Sequence, residues 1–314
     1  MRILFLGTGA AQGYPAVFCR CEHCEAARAR GGRSIRRRSA LLVNDDLLLD
    51  FGPDVMAAAR DERLALHRVR YLLLTHADGD HLHRENFDQH RARWAQPEIP
   101  TLEVHGSGAT LDRIRDYPWS LEEMRLALRV VAPGETWELG PYRVTALRAR
   151  HTEPQQPLFY VVRQGAAALL YATDTGAFYP ETWAVLERLG RDGLRLSAAV
   201  IEGTSGLRET APEAGHMNLI RCAEHHRELH RRGLTAPGCV HLTTHLSPNG
   251  TPLHEETEAF LAPHGVGVAY DGQRVVLGAA PATPPGGRRR RPRPGPGGRP
   301  APPGPRGRAP SPPR

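Results

Sequence analysis

The segment Leu72-Leu73-Leu74-Thr75-His76-Ala77-Asp78-Gly79-Asp80-His81-Leu82 constrains this chain more than any other. Four side chains able to hold a metal, His76, Asp78, Asp80 and His81, fall within six residues at the end of an apolar run. A short apolar run of this kind reads as a buried strand, and a turn at its end lets alternate side chains converge on a small volume. Gathering carboxylates and imidazoles there without a cation would cost desolvation and repulsion. Such convergence at a strand end is what a dinuclear metal site requires.

The 314 residues suffice for a sizeable core, and with 40% hydrophobic and 24% charged residues the body is globular in composition. Strand-like runs cover Arg2 to Leu6, which enters the tight Gly7-Thr8-Gly9 turn, and then Ser39 to Val43 and Leu47 to Phe51, a hairpin around Asn44-Asp45-Asp46. Further strands are predicted at Tyr71 to Thr75, Tyr142 to Leu147, Leu158 to Val162, Ala168 to Ala172 and Ala198 to Ile201. Arg84 to Trp94 and Ser120 to Leu128 have helical composition, and Asn218 to Arg231 is a helix with Leu219, Cys222 and Leu229 on roughly one side. Val240 to Thr243, Glu255 to Leu261, Val266 to Tyr270 and Arg274 to Leu277 close the domain. Strands and helices in alternation indicate a layered α/β body.

The 41 basic residues exceed the 34 acidic ones, but nine arginines and no acid lie between Ala279 and Arg314. The remainder carries 32 basic against 34 acidic residues, so the folded body has no basic character that would mark it for nucleic acid. Residues 279–314 are Pro, Gly and Arg with almost nothing to bury, and are expected to form a disordered tail after a domain spanning 1–278. Nucleic acid is expected as a partner only through this tail. No apolar run is long enough for a signal-peptide core or a membrane span, so cytoplasmic residence without membrane association is the expectation. In that compartment Cys19-x-Cys21-x-x-Cys24 reads as a ligand set rather than a disulfide framework.

The segment from His76 to His81 resembles the His-x-His-x-Asp-His signature of metallo-β-lactamase-fold hydrolases, with Asp78 where the second histidine usually stands. Later single residues resemble the remaining ligands in order: His151 after Tyr142 to Leu147, Asp174 in Leu170-Tyr171-Ala172-Thr173-Asp174-Thr175-Gly176, and His245 in His241-Leu242-Thr243-Thr244-His245. The resemblance runs from Met1 to about Gly278 and implies a four-layer αββα sandwich. It implies one metal held by His76, Asp78 and His151, a second by Asp80, His81 and His245, and Asp174 shared between them. Asp50, in Leu49-Asp50-Phe51-Gly52, matches an aspartate that orients ligands. A carboxylate at position 78 is harder than imidazole, which favours manganese, iron or magnesium over zinc at that site or leaves a degenerate site with one working metal.

Gly7-Thr8-Gly9-Ala10-Ala11, followed by Phe18-Cys19-Arg20-Cys21-Glu22-His23-Cys24, resembles the phosphoribosyl cyclic phosphodiesterases and, more distantly, the B protein of pyrroloquinoline quinone biosynthesis. In both groups the three cysteines imply a structural zinc. A closed site needs a fourth donor. The family tends to supply a histidine at the position of Pro248, so here the alternatives are His23, His241, Cys239 or water as the donor, or a site without metal. His216, in Ala214-Gly215-His216-Met217-Asn218-Leu219, stands where the cyclic phosphodiesterases carry a histidine associated with the phosphate and leaving group.

Taken together, the resemblance implies a dinuclear hydrolase with zinc or manganese, most simply a phosphodiesterase cleaving a cyclic phosphate or small phosphodiester. A metal-bridged hydroxide positioned by Asp80 and Asp174 attacks, and His216 assists the leaving alkoxide. The expected partner is a small phosphorylated substrate, and the expected assembly a homodimer. Three alternatives stay open: a cofactor-maturation role like that of the pyrroloquinoline quinone B protein, an RNA-processing nuclease, and a non-catalytic metal-binding protein. The Thr75-His76 pair and His151 favour the phosphodiesterase, whereas Gly215-His216-Met217 fits either of the first two enzymes.

Overall fold

The computed structural model describes residues 1–97 and 99–278; the expected tail, 279–314, lies outside the described residues. The first sheet is built from β1 (Arg2–Gly7), β2 (Ala40–Val43), β3 (Leu47–Leu49), β4 (Tyr71–Leu73), β5 (Leu102–Gly106), β6 (Leu126–Val130) and the late strand β14 (Arg274–Val276). Its order is β14-β1-β2-β3-β4-β5-β6, antiparallel up to β3 and parallel beyond it. The second sheet holds β7 (Thr136–Leu139), β8 (Tyr142–Arg148), β9 (Leu158–Gln164), β10 (Ala167–Ala172), β11 (Leu196–Glu202), β12 (Thr235–Thr244) and β13 (Gly267–Val268), in the order β13-β12-β11-β10-β9-β8-β7.

The two sheets pack face to face because alternate residues of each are apolar and buried. Ile3, Phe5, Leu41, Val43, Leu47 and Leu49 meet Val144, Tyr160, Val162, Leu169, Tyr171 and Val200 in one core cluster. The outward faces are covered by helices. On the first sheet α2 (Val55–Asp61) and α3 (Gly108–Arg115) bury Val55, Ala58, Leu111 and Ile114. On the second, α4 (Pro180–Arg191) and α5 (Leu219–Arg231) bury Leu186, Leu189, Cys222 and Leu229. This helix-sheet-sheet-helix layering is the expected α/β sandwich. Two further helices lie elsewhere: α1 (Glu22–Arg30) behind the cysteine loop and α6 (His254–Leu261) beside β13.

Two segments of helical composition fold otherwise. Arg84–His90 is a 3-10 helix followed by turns rather than an α-helix through Trp94. Asn86 is drawn into the site loop, where its Nδ2 donates to the carbonyls of Phe51 and Gly52 at 3.2 and 2.9 Å, and this fixes the segment locally. Between Ser120 and Leu128 the Ser120 hydroxyl and Glu123 carboxylate close a single turn, after which the chain leaves as β6. The free edge of β5 offers a full backbone ladder from Leu102↔Leu126 to Gly106↔Val130, which outweighs helical composition.

Candidate metal centre

The polar residues singled out in the sequence gather at one end of the sandwich, each just beyond a strand. Asp50 follows β3, the 74–83 loop follows β4, His151 follows β8, Asp174 follows β10, and His245 follows β12. Asp50, Asp174 and His245 have positive φ values of 65°, 46° and 55°, an uncommon backbone state for residues other than glycine and one concentrated at functional sites. These turns re-aim the side chains from the strand ends into a shared volume.

Two donor groups form, joined by one carboxylate. In the first, Asp78 Oδ2 lies 3.4 Å from His76 Nε2 and 3.3 Å from His151 Nε2. In the second, His81 Nε2 lies 3.1 Å from Asp80 Oδ2 and 3.3 Å from His245 Nε2. Asp174 turns Oδ1 toward His151, 3.9 Å away, and Oδ2 toward His81 and His245, at 2.7 and 2.9 Å.

The other nitrogen of each ring is held by protein. His81 Nδ1 is 2.7 Å from Asp50 Oδ2, His76 Nδ1 is 2.9 Å from Thr75 Oγ1, His245 Nδ1 is 2.8 Å from Thr204 Oγ1, and His151 Nδ1 is 3.3 Å from the Gly215 carbonyl. All four Nε2 atoms are thereby turned into the cluster, the arrangement that outer hydrogen bonds impose on metal-binding histidines. Asp50 is itself fixed by Thr75, whose N and Oγ1 donate to Oδ1 at 2.8 and 2.9 Å.

The residues present fit divalent metal. His76 Nε2 and Asp174 Oδ2 are buried without a properly directed hydrogen bond, although Asp174 Oδ2 is only 2.7 Å from His81 Nε2. Protein alone leaves these inward atoms unsatisfied, and a cation between them would satisfy them. The electrostatics point the same way. Burial opposes a charged imidazole at His81, yet Asp174, Asp80 and Asp50 hold its pKa well above the ordinary value. Burial likewise opposes, and Asp174 overrides, at His245, which is raised to about 10. The Asp78 carboxyl is pulled far below its usual range, chiefly by His151 and then His76. The carboxylates demand positive charge at this point.

Three contributors were not singled out from the sequence. Glu202, fully buried at the end of β11, receives the Thr175 and Thr204 amides at 2.8 and 3.0 Å and lies 2.9 Å from His216 Nδ1. Gln155 donates from Nε2 to Asp78 Oδ1 at 2.6 Å and accepts the Ala77 amide at 2.9 Å, which aims Asp78 Oδ2 at the two histidines. Thr204 orients His245. Glu202 had a usable signal, an acid closing the apolar run Ala198 to Ile201; Gln155 and Thr204 had none.

The cysteine loop forms a separate cluster. The sulfurs of Cys19, Cys21 and Cys24 lie within 4.8 Å of one another, with Cys24 buried. Hydrogen bonding, first from the Cys21 amide, lowers the Cys19 thiol, and burial pushes the Cys24 thiol up to about 12. Of the candidate fourth donors, His23 turns Nδ1 to the Pro248 carbonyl at 3.1 Å, His241 pairs with His226 at 2.9 Å, and Cys239 faces the Val240 carbonyl. The donor set fits zinc in ligand type but supplies three thiols where a closed site takes four ligands.

Residues 46–236 match the family described as the beta-lactamase superfamily domain. The chain belongs to that superfamily, a hydrolase class whose fold implies divalent-metal binding. Among solved structures it is similar to a diphosphatase of the PhnP family, with 20% identity, a TM-score of 0.65 and coverage of 88% of this chain and 97% of that one. It is similar also to zinc-bound PqqB from Methylobacterium extorquens, with 17% identity, a TM-score of 0.64 and coverage of 88% and 100%. Human tRNase Z, short form, follows with 16% identity, a TM-score of 0.61 and coverage of 88% and 99%. Among curated proteins, an octanoyltransferase of Porphyromonas gingivalis is 24% identical over 291 residues, 88% of this chain and 52% of the relative, so the chain spans about half of that protein's length. Coenzyme PQQ synthesis protein B of Methylobacterium radiotolerans is 34% identical over 94 residues, 26% of this chain and 31% of that protein. Among the described residues no helix is long and apolar enough to cross a membrane.

Proposed function

We propose that this chain is a metal-dependent phosphodiesterase acting on a cyclic phosphate or other small phosphodiester. The observation that carries the reading is Asp174, whose two oxygens face two different donor groups at the floor of a cavity of about 410 Å³. That volume falls in the range of small-molecule sites.

His76, Asp78 and His151 would hold one divalent ion, zinc or manganese, Asp80, His81 and His245 a second, and Asp174 would serve both. When bound, such a pair supplies an activated water and Lewis-acid stabilisation of the attacking and leaving oxygens. The chain's own residues do the rest. Asp50, Thr75, Thr204 and the Gly215 carbonyl lock the four imidazoles, so the donors need no reorganisation during reaction. Gln155 fixes Asp78. Glu202 accepts the Nδ1 proton of His216 at 2.9 Å, which leaves the other ring nitrogen of this cavity-lining residue free to give a proton to the departing alkoxide. Burial opposes a charged His216, but Glu202 raises its pKa and keeps it able to donate.

The test is hydrolysis of bis(p-nitrophenyl) phosphate by manganese- or zinc-loaded protein beside Asp174→Ala. Turnover that falls at least 100-fold in the variant is the expected result. Turnover undiminished in the variant, or none in metal-loaded wild type, refutes the reading; in the latter case a maturation role like that of PqqB, supported by the 94-residue match, takes its place.

A further inference from the structure

The cysteine loop gathers thiols without closing a metal site around them. Cys19, Cys21 and Cys24 bring their sulfurs within 4.8 Å of one another. The imidazole between the last two is committed elsewhere, since His23 turns Nδ1 to the Pro248 carbonyl at 3.1 Å and Nε2 to the Glu22 carboxylate at 3.8 Å. His241 is paired with His226 at 2.9 Å, and Cys239, on β12, packs against the core beneath α4 and α5. A structural zinc site takes four ligands in a tetrahedron. With each candidate fourth donor engaged elsewhere, three thiols at this spacing suit a different chemistry, the bonding of sulfur to sulfur.

The three are not equivalent. Cys21 stands at the N-terminal cap of α1 and Cys24 in its first turn, which the Glu25 amide closes by donating to the Cys21 carbonyl at 3.0 Å. One turn of helix therefore holds this Cys-x-x-Cys pair together, and rotation about the side-chain bonds is enough to bring the two sulfurs to bonding distance. The Cys21 sulfur caps no amide of the helix and is partly exposed, whereas Cys24 is fully buried. A reachable thiol followed by a buried one at a helix start is the arrangement used in thiol–disulfide exchange, the first sulfur attacking and the second resolving. Cys19 lies ahead of the helix, where its sulfur accepts the Cys21 amide at 3.4 Å, and so stays outside the turn that pairs the other two.

We propose that Cys21 and Cys24 are a redox-active dithiol, which closes to a disulfide by exchange with a small-molecule disulfide such as glutathione disulfide. The Cys21 sulfur attacks one glutathione sulfur, the glutathione S–S bond breaks, and one glutathione thiolate leaves. The Cys24 sulfur then attacks Cys21 in the mixed disulfide and expels the second glutathione. The protons of the two cysteines end on the two glutathione thiols. Both cysteines are oxidised, one glutathione disulfide is reduced, and no further reactant is needed. The pair is separate from the metal centre, and the proposal does not depend on the phosphodiesterase reading.

Trypsin cleaves after Arg20 and Arg28, so Cys21 and Cys24 share one peptide and Cys19 falls in another, which lets mass spectrometry identify the bond. The full chain is reduced, freed of reductant, equilibrated with glutathione disulfide, and then quenched and alkylated in denaturant. The reduced chain has five cysteines and is expected to take five alkyl groups; the oxidised chain is expected to take three. The two missing groups should map to the 21–28 peptide, lighter by two hydrogens than its reduced, unalkylated form, and dithiothreitol should restore them. Cys19→Ser is expected to form the same bond, and Cys21→Ser to lose it. A bond joining the Cys19 peptide to the 21–28 peptide overturns the proposal. Five thiols that persist in glutathione disulfide overturn it as well, and a zinc ion then released by a mercurial thiol reagent would show a structural metal in its place.

Discussion

His216 is the residue whose contribution depends most on the substrate. Its Nδ1 is committed to Glu202 at 2.9 Å, and only 3.7 Å separates it from Asp174 Oδ1. The ring lies tilted against His151 at 4.8 Å and stacks on His245 at 5.9 Å, so it sits against both donor groups. A histidine in that position is needed when the leaving oxygen is basic and must be protonated, and is nearly idle when the leaving group departs readily as an anion. His216→Ala should therefore cost roughly 100- to 10,000-fold in kcat on an alkyl phosphodiester but much less on a nitrophenyl ester. Rates for the two substrate types with one variant check this. Equal losses on both would show that His216 positions substrate or metal rather than moving a proton.

At the scale of elements, the site depends on how closely neighbouring loops can approach. The exit of β3 and the ligand loop after β4 meet at Phe51, whose amide donates to the His81 carbonyl at 2.7 Å and whose carbonyl accepts from His83 at 3.0 Å. Gly52 follows at once, and a Cβ there would overlap the Asp80 carbonyl. Gly52→Ala should push the ligand loop outward, costing about 1–3 kcal/mol of stability and lowering bound metal below that of wild type. Elemental analysis with a denaturant curve measures both; full occupancy would show that the loop absorbs the extra carbon. The same scale explains what the sequence made readable. Strand ends carrying His76, Asp174 and His245 were legible because an acid or imidazole closing an apolar run has no packing reason to be there. The helical readings of Arg84 to Trp94 and Ser120 to Leu128 failed because tertiary partners, the Phe51 and Gly52 carbonyls and the open edge of β5, decided the backbone. Gln155 and Thr204 escaped notice for a related reason. Each matters only through a partner more than 40 residues away, Asp78 and His245, and neither has a local pattern that announces the contact.

For the molecule as a whole, buried histidines away from the metal centre set a pH limit on folding. His105, on β5, is 2% exposed, lies flat on Trp137 with ring centroids 5.6 Å apart, and has neither ring nitrogen hydrogen-bonded. Burial, reinforced by Arg129, lowers its pKa from 6.5 to about 4. Burial also lowers His226 to about 3 and, together with Arg36, His254 to about 4. Each is neutral when folded, whereas in the unfolded chain each takes up a proton near pH 6.5. Between pH 6.5 and about 4 the unfolded state binds more protons, so stability falls as pH falls through that window and is unaffected by these groups above it. At pH 4.5 the cost from His105 alone is on the order of 2–3 kcal/mol. His105→Phe keeps the stacking on Trp137 and removes the titration. Denaturant unfolding at pH 7 and pH 4.5 should show the wild type losing about 2–3 kcal/mol more than the variant on acidification. Protonation of the metal ligands is common to both proteins and cancels in the comparison, so parallel losses would mean that His105 is already solvated in the native state.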